Sequence, residues 1–277
     1  MEALILTGDH HTNSTVGLCT SRVTLDDGGT YTPNKTQRWM WAFWNECWQE
    51  AKAFTEEASK VTWIINGDMV DKDNKQRSYQ YITGNPATIA NMTIDTLAPG
   101  LEVADQVLVI RGTEAHVGTN ANMEELVADD IIGTTVIRNK ESGTASWYHY
   151  RGVLEGLRID VTHHTTMGTL PWNAANAANK LAADAFMNYS LLGQKPPGLL
   201  VRSHVHKHAD SHDNYPVRAL VLPAWQTMTS YGVKLNPNRI SDIGMIIFLI
   251  DNGSIVGEKK MIEKLSQTVK NVWTNQL

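Results

Sequence analysis

Residues 1–11 read MEALILTGDHH, an apolar run over residues 3–7 that gives way within two positions to an aspartate and two histidines. A short run this apolar predicts a buried β-strand, so the ionisable cluster sits where a strand exits. The same junction recurs four times. Residues 61–65 run into GDMVD (67–71), 106–110 into GTEAH (112–116), 157–161 into THH (162–164), and 199–201 into SHVH (203–206). Residues 219–222 and 245–250 add two further predicted strands. Eight of the ten histidines (His10, His11, His116, His163, His164, His204, His206 and His208) lie in or beside these exits. His149 and His212 lie outside the motifs and read as structural.

Between the strands lie helical patterns. Trp41, Trp44, Trp48 and Ala51 recur at three- and four-residue steps within residues 37–59, which describes one helix face. Arginines are sparse there, so the stripe reads as core packing rather than a base-stacking platform. Further helices are predicted over 87–103, 123–131 and 172–192, the last with Asn173 as its cap. Strands alternating with covering helices predict a layered α/β fold. Residues 16–35, 72–86 and 208–215 have loop chemistry and are expected to form the rim of the site, with Asp73 and Asn74 in a turn.

At 277 residues, 42% apolar and 19% charged, the chain can bury a substantial core and is not globally disordered. It shows no repeat or long linker, and residues 1–277 are expected to form a single domain. A net charge of −5 excludes bulk binding to nucleic acid or anionic lipid through excess positive charge, leaving local cationic sites open. Cys19 and Cys47 form no Cys-x-x-Cys pair, which removes a disulfide scaffold and a thiolate zinc site and predicts free thiols. With no basic leader and no run of ~18 apolar residues, the chain is expected to be soluble and cytoplasmic, without a membrane partner.

Ligands collect beyond the carboxyl ends of strands in open α/β sheets, so side chains distant in sequence can converge there. Asp9 and His11 would point the same way if the chain left its strand extended, and His204 and His206 repeat the spacing. Imidazole and carboxylate without thiolate suit Mn, Fe, Zn or Ni.

The five-part series resembles the calcineurin-like metallophosphoesterase family, whose pattern runs Asp-x-His, Gly-Asp-x-x-Asp, Gly-Asn-His, a later His after a strand, and Gly-His-x-His. The match keeps this order from Gly8 to His206. The resemblance implies central β-sheets flanked by helices, with the metal site at strand C-terminal ends. It implies Asp9, His11, Asp68 and His206 around one ion, and Asp68 bridging to a second ion beside His163, with His164 as its rival, and His204. Asp71 would orient ligands from behind, and His116 would be the catalytic histidine. The third motif departs from the pattern: GTEAH lacks the Asn and has no immediately following His, leaving Glu114, or else Thr113, near the ligand position, with Glu114 favoured. Ser203 stands where the family has Gly. The segment GTEAHVG is similar to phage-borne members.

The implied activity is phosphate-ester hydrolysis, as phosphatase or phosphodiesterase, by in-line attack of a hydroxide between two divalent ions, Mn foremost, with His116 as general acid. The expected substrate is a small phosphate ester or nucleotide. Two rivals stand beside it: a catalytically silent metal-binding scaffold, motivated by the missing Gly-Asn-His string, and a nuclease or nucleic-acid end-processing enzyme. Arg111 and Arg202 could each clamp a phosphate or pair with a carboxylate.

Overall fold

Alternation along the first strand decides the layering. In β1 (Glu2–Thr7), Ala3 and Ile5 join one hydrophobic core while Leu4 and Leu6 join another, so the sheet that holds it is covered on both faces. The computed structural model describes residues 1–72, 80–168, 173–236 and 240–264. After β1 come α1 (Lys35–Phe54), β2 (Val61–Asn66), α2 (Pro86–Leu101), β3 (Gln106–Ile110), α3 (Glu114–Val117) and α4 (Asn122–Asp129). Then follow β4 (Tyr150–Leu154), β5 (Leu157–Val161), α5 (Ala174–Leu191), β6 (Leu199–Arg202), β7 (Arg218–Val221), α6 (Ser230–Leu235), β8 (Asp242–Asp251) and β9 (Ser254–Lys264). Several two-residue strands connect them.

The first sheet runs β9-β8-β1-β2-β3, extended beyond β3 by Thr135–Val136 and Ser146–Trp147. Within it β1, β2 and β3 are parallel and in step, with Thr7 opposite Ile65 and Asn66 opposite Ile110. The second sheet runs β7-β6-β5-β4, with Ala209–Asp210 along the outer edge of β7. Here β5, β6 and β7 are parallel. The inner core joins the sheets face to face: Leu4, Leu6, Ile64 and Leu108 from one meet Ile159, Val161, Leu199 and Leu220 from the other. On the outer faces, α1 and α2 pack their Trp44, Trp48, Ile89 and Leu97 against the first sheet, and α5 packs Ala182 and Ala185 against the second. The architecture is therefore mixed α/β in four layers. All five polar clusters leave parallel strands in the same sense, which places them at one end of the sandwich.

Among the longer strands of the described residues, β4 and β9 escape the sequence reading. The charged, half-exposed β9, SIVGEKKMIEK, has no apolar run to announce it. Both belong to hairpins closed by two residues at positive φ, Glu155-Gly156 and Asn252-Gly253. Asn-Gly is the preferred chemistry of such turns, and it was the available signal for β9. Asn173 precedes α5 at the cap position but makes no side-chain cap bond. The predicted turn at Asp73 and Asn74, much of the 72–86 rim, and the predicted helix start at 172 lie outside the described residues. Among the described residues no helix is long and apolar enough to cross a membrane.

The tryptophan stripe is core. Asn34 caps α1 with a reciprocal Gln37 contact, and the face it starts buries Trp44, Trp48 and Ala51. Trp44 packs edge-on against Trp48 and Trp225, and its Nε1–H donates to Thr96 O at 3.0 Å. Trp44→Ala is expected to cost about 3–5 kcal/mol, and Trp41→Ala, at the half-buried end of the stripe, less than half of that. Urea midpoints at constant m-value measure both; equal losses would contradict this placement.

Candidate metal centre

The strand exits are pinned to each other by backbone. Asp9 N–H donates to Gly67 O and His11 N–H to Asp68 O, both at 2.9 Å, continuing the β1–β2 pairing past the sheet edge. The second sheet joins through Asn66, whose Nδ2 donates to Thr162 O and Ser203 Oγ. The exits are not extended. Asp9, His11, Asp68, His204 and His206 all have φ between 48° and 77°, a region that costs a non-glycine residue about 1–2 kcal/mol. Asp9 and His11 thus converge through successive left-handed positions rather than through strand-like alternation. Such outliers concentrate where a site, not the fold, requires them.

Each carboxylate divides its oxygens. Asp9 Oδ2 accepts from His204 N–H at 3.0 Å, and Asp68 Oδ1 accepts from Thr113 N–H at 2.5 Å. The other two oxygens face imidazoles. Asp9 Oδ1 lies 3.4 Å from His206 Nε2, 3.8 Å from His11 Nε2 and 3.9 Å from His163 Nε2. Asp68 Oδ2 lies 3.1 Å from His163 Nε2, 3.9 Å from His11 Nε2 and 4.0 Å from His204 Nδ1. The rings are fixed from behind: His163 Nδ1–H donates to Asn66 O at 2.7 Å, and His11 Nδ1–H to Asp71 Oδ1 at 3.0 Å. Gly67, at φ +76°, permits this closeness, since a Cβ there would meet His163 Nδ1 at 2.4 Å.

This donor set fits a cation. Among the described residues, buried Asp9 Oδ1 has no hydrogen-bond partner and buried His163 Nε2 has only the Asp68 carboxylate at 3.1 Å, an arrangement costly unless something else satisfies them. His11 Nε2 and His206 Nε2 face each other at 3.2 Å. Groupings able to hold a metal ion are Asp9 with His11 and His206, Asp9 with Asp68 and His163, His163 with His164 and His204, and His11 with Asp71 and His116.

Charge tells the same story. Burial would raise Asp9 and Asp68, but His206, His11 and His163 around Asp9, and His163 and His11 beside Asp68, outweigh it and hold both carboxyls well below the usual range. Burial would lower His163, but the Asp68 carboxylate pushes it up to about 9. Burial and the charge of His163 bring His204 down to about 4 and lower His164 as well. The imidazolium at His163 thus supplies positive charge that a divalent ion could supply in its place.

Asp71 sits behind the cluster. Its Oδ1 also accepts from His116 Nδ1–H at 2.6 Å, and its Oδ2 from Gln226 Nε2 at 3.1 Å. Thr113, rather than Glu114, occupies the place beside Asp68. Its Oγ1 lies 3.2 Å from His204 Nδ1 and 3.3 Å from His164 Nε2. Thr113 is the N-cap of α3, so the chain turns into a helix at Glu114, whose side chain is exposed and outside these groupings. His163 and His164 both approach the site: His163 faces the carboxylates and His164 faces Thr113. Arg111 donates to Ser146 Oγ, pairs with Glu125 at 3.6 Å and lies over Tyr148. Arg202 pairs with Asp160 at 2.9 Å. Both arginines are committed to carboxylates. His208 turns away, its Nδ1–H donating to Val221 O.

Three contributors escape the sequence reading: Asn66, Gln226 and Glu124. Glu124 left a visible signal, because it shares a helix face with the apolar Val127 and Ala128. Burial and the nearby Asp68 push it up to about 7, against the pull of the Met69 and Gly112 N–H groups.

No protein-family model matches this sequence, and no curated protein matches it. Solved structures do show similarity. Vps29 of Entamoeba histolytica complexed with Zn2+ is 11% identical over 95% of this chain and 98% of that one, at a TM-score of 0.41. Vps29 of Chaetomium thermophilum is 9% identical over 96% and 97%, at 0.40. A hypothetical protein from Pyrococcus horikoshii is 8% identical over 98% and 92%, at 0.42. Likenesses this faint assign neither family nor function, and the architecture stands on the strand order and cores described above.

His10, between two of these groups, is buried against Trp44 and Trp63, and its Nε2 meets Thr7 Oγ1 at 2.9 Å. Burial brings it down to about 3, with Asp9 opposing. Below pH 6.5 the unfolded chain binds a proton there that the folded metal-free protein refuses, so this residue removes stability as pH falls from 6.5 toward 3. In His10→Gln, stability relative to the parent is expected to improve by about 2–3 kcal/mol between pH 7 and pH 4.5. Urea denaturation at pH 7, 5.5 and 4.5 measures it; a pH-independent difference would refute it.

Proposed function

We propose that this protein is a metal-dependent phosphoesterase whose centre takes two divalent ions. The observation that carries the reading is Asp68. One oxygen is tied to Thr113 N–H, and the other lies between the His11 side of the cluster and the His163 and His204 side. A carboxylate so placed is suited to touch two ions at once. Asp9, His11 and His206 would complete one position, and His163 and His204 the other, with the Thr113 hydroxyl beside it. Ions held there would lower the pKa of water and offset charge building on phosphoryl oxygens.

The remaining chemistry belongs to the chain. His116 is one-third exposed and its Nδ1–H is held by Asp71, which leaves Nε2 to deliver a proton to the leaving-group oxygen. Asp71 links that ring to His11 by accepting from both, so the acid and one ligand share an anchor. Manganese is the ion we favour, with Fe, Zn or Ni also compatible, and a small phosphate ester or nucleotide is the substrate class.

A second reading, a metal-binding scaffold without catalysis, is favoured by Thr113 in place of an amide ligand and by the engagement of Arg111 and Arg202 with carboxylates, which leaves neither to clamp a phosphate. Manganese titration with a parallel hydrolysis screen on p-nitrophenyl phosphate and bis(p-nitrophenyl) phosphate separates the two. A phosphoesterase hydrolyses one of them only with metal, whereas a scaffold binds manganese and turns over neither. Short oligonucleotides in the same screen test for nuclease action. We expect Asp68→Asn to abolish metal-dependent hydrolysis. His116→Gln should lower kcat by ~100- to 10,000-fold while leaving manganese stoichiometry unchanged. Unchanged turnover in either variant contradicts the assignment of that residue.

A further inference from the structure

Glu124 is a fully buried carboxylate on α4 for which the chemistry above has no use. Its oxygens are divided between two loops. Oε1 accepts from Met69 N–H at 3.0 Å, and Oε2 accepts from Gly112 N–H at 2.7 Å. Met69 follows Asp68 directly, and Gly112 precedes Thr113, the residue whose N–H donates to Asp68 Oδ1. The loops touch so closely that a Cβ on Gly112 would lie 2.2 Å from both Asp68 N and Asp68 Oδ1. A charge on the apolar face of a helix is unfavourable unless its hydrogen bonds are complete, and here they are complete only because both loops contribute.

We propose that Glu124 is a positioning residue that clamps the loop after β2 to the loop after β3 and thereby fixes the direction of the Asp68 carboxylate. The inference deepens the metal reading and rests on it for the role of Asp68, but the clamp itself is a property of the metal-free chain. Glu125, the next residue, is a built-in control. It accepts from Ala145 N–H at 2.7 Å and Ser146 N–H at 3.0 Å and pairs with Arg111 at 3.6 Å, so it touches the loop after β3 but not the loop that carries Asp68.

Glu124→Gln keeps size and one acceptor oxygen but turns an N–H2 group toward a backbone N–H. In metal-free protein, amide hydrogen exchange at Met69, Gly112 and Thr113 is expected to speed at least tenfold in Glu124→Gln, whereas Met69 keeps the parent rate in Glu125→Gln. In Mn(II) titrations followed by electron paramagnetic resonance, affinity should fall by ~10- to 100-fold in Glu124→Gln, and stay at the parent value in Glu125→Gln even where both lose thermal stability. Parent-like exchange at Gly112 and Thr113 together with parent-like manganese affinity would overturn the proposal. Should Glu124→Gln fail to fold, Glu124→Asp serves instead. It keeps the charge but is one methylene shorter, so it cannot span both Met69 N–H and Gly112 N–H; parent-like exchange at both sites with unaltered manganese affinity would also overturn the proposal. A parent that binds no manganese defeats the metal reading, and the exchange arm still decides the clamp.

Discussion

Two carboxylates with almost no exposure, Asp9 and Asp68, stand within reach of four imidazoles at the mouth of the sheets, and the surrounding structure is arranged to keep them ionised there. Taking a carboxylate out of water costs several kcal/mol unless it is paired and hydrogen-bonded. One oxygen of each is met by a backbone N–H drawn from a different strand exit. The second is met only by imidazoles, two of which are raised against the effect of burial: His163 chiefly by Asp68, and His11 chiefly by Asp71 behind it, with Asp9 and Asp68 adding to the shift. Positive charge at this point offsets the two buried carboxylates, and in the proposed function divalent ions would take the place of these protons.

The backbone strain follows from the same requirement. Five non-glycine residues at positive φ in one site would together be expensive in a protein that used these residues only for packing. Asp tolerates this region better than most residues, and His is enriched in it as well, so a chain that must turn ligands inward within two residues of a strand draws on those types. Glycines take the remaining tight places. Gly67 yields to His163 and Gly112 yields to Asp68, which explains why a glycine precedes both Asp68 and Thr113.

Much of this was legible in the sequence. Apolar runs ending in Asp and His located the central parallel strands to within a few residues, and ordered motifs named the residues that gather in the cluster, since both signals are local. What was not legible was contributed at a distance. β4 and β9 are edge strands, half-exposed and charged, so burial leaves no mark on their composition. Asn66, Gln226 and Glu124 act through hydrogen bonds whose partners lie from 12 to 155 residues away. The third motif was read by likeness of residue type, favouring the charged Glu114. The helix that begins at Thr113 turns Glu114 outward and leaves the hydroxyl and N–H of Thr113 facing Asp68 and the histidines.

We propose that groups far apart in the chain gather into one site that takes two cations, one on either side of Asp68 Oδ2. Anomalous scattering from crystals grown with excess manganese tests it most directly. The account predicts two manganese peaks ~3.5–4 Å apart, both within bonding distance of Asp68, one beside His11 and His206 and the other beside His163 and His204. A cluster without metal, or a single ion that leaves Asp68 Oδ2 untouched, would contradict it.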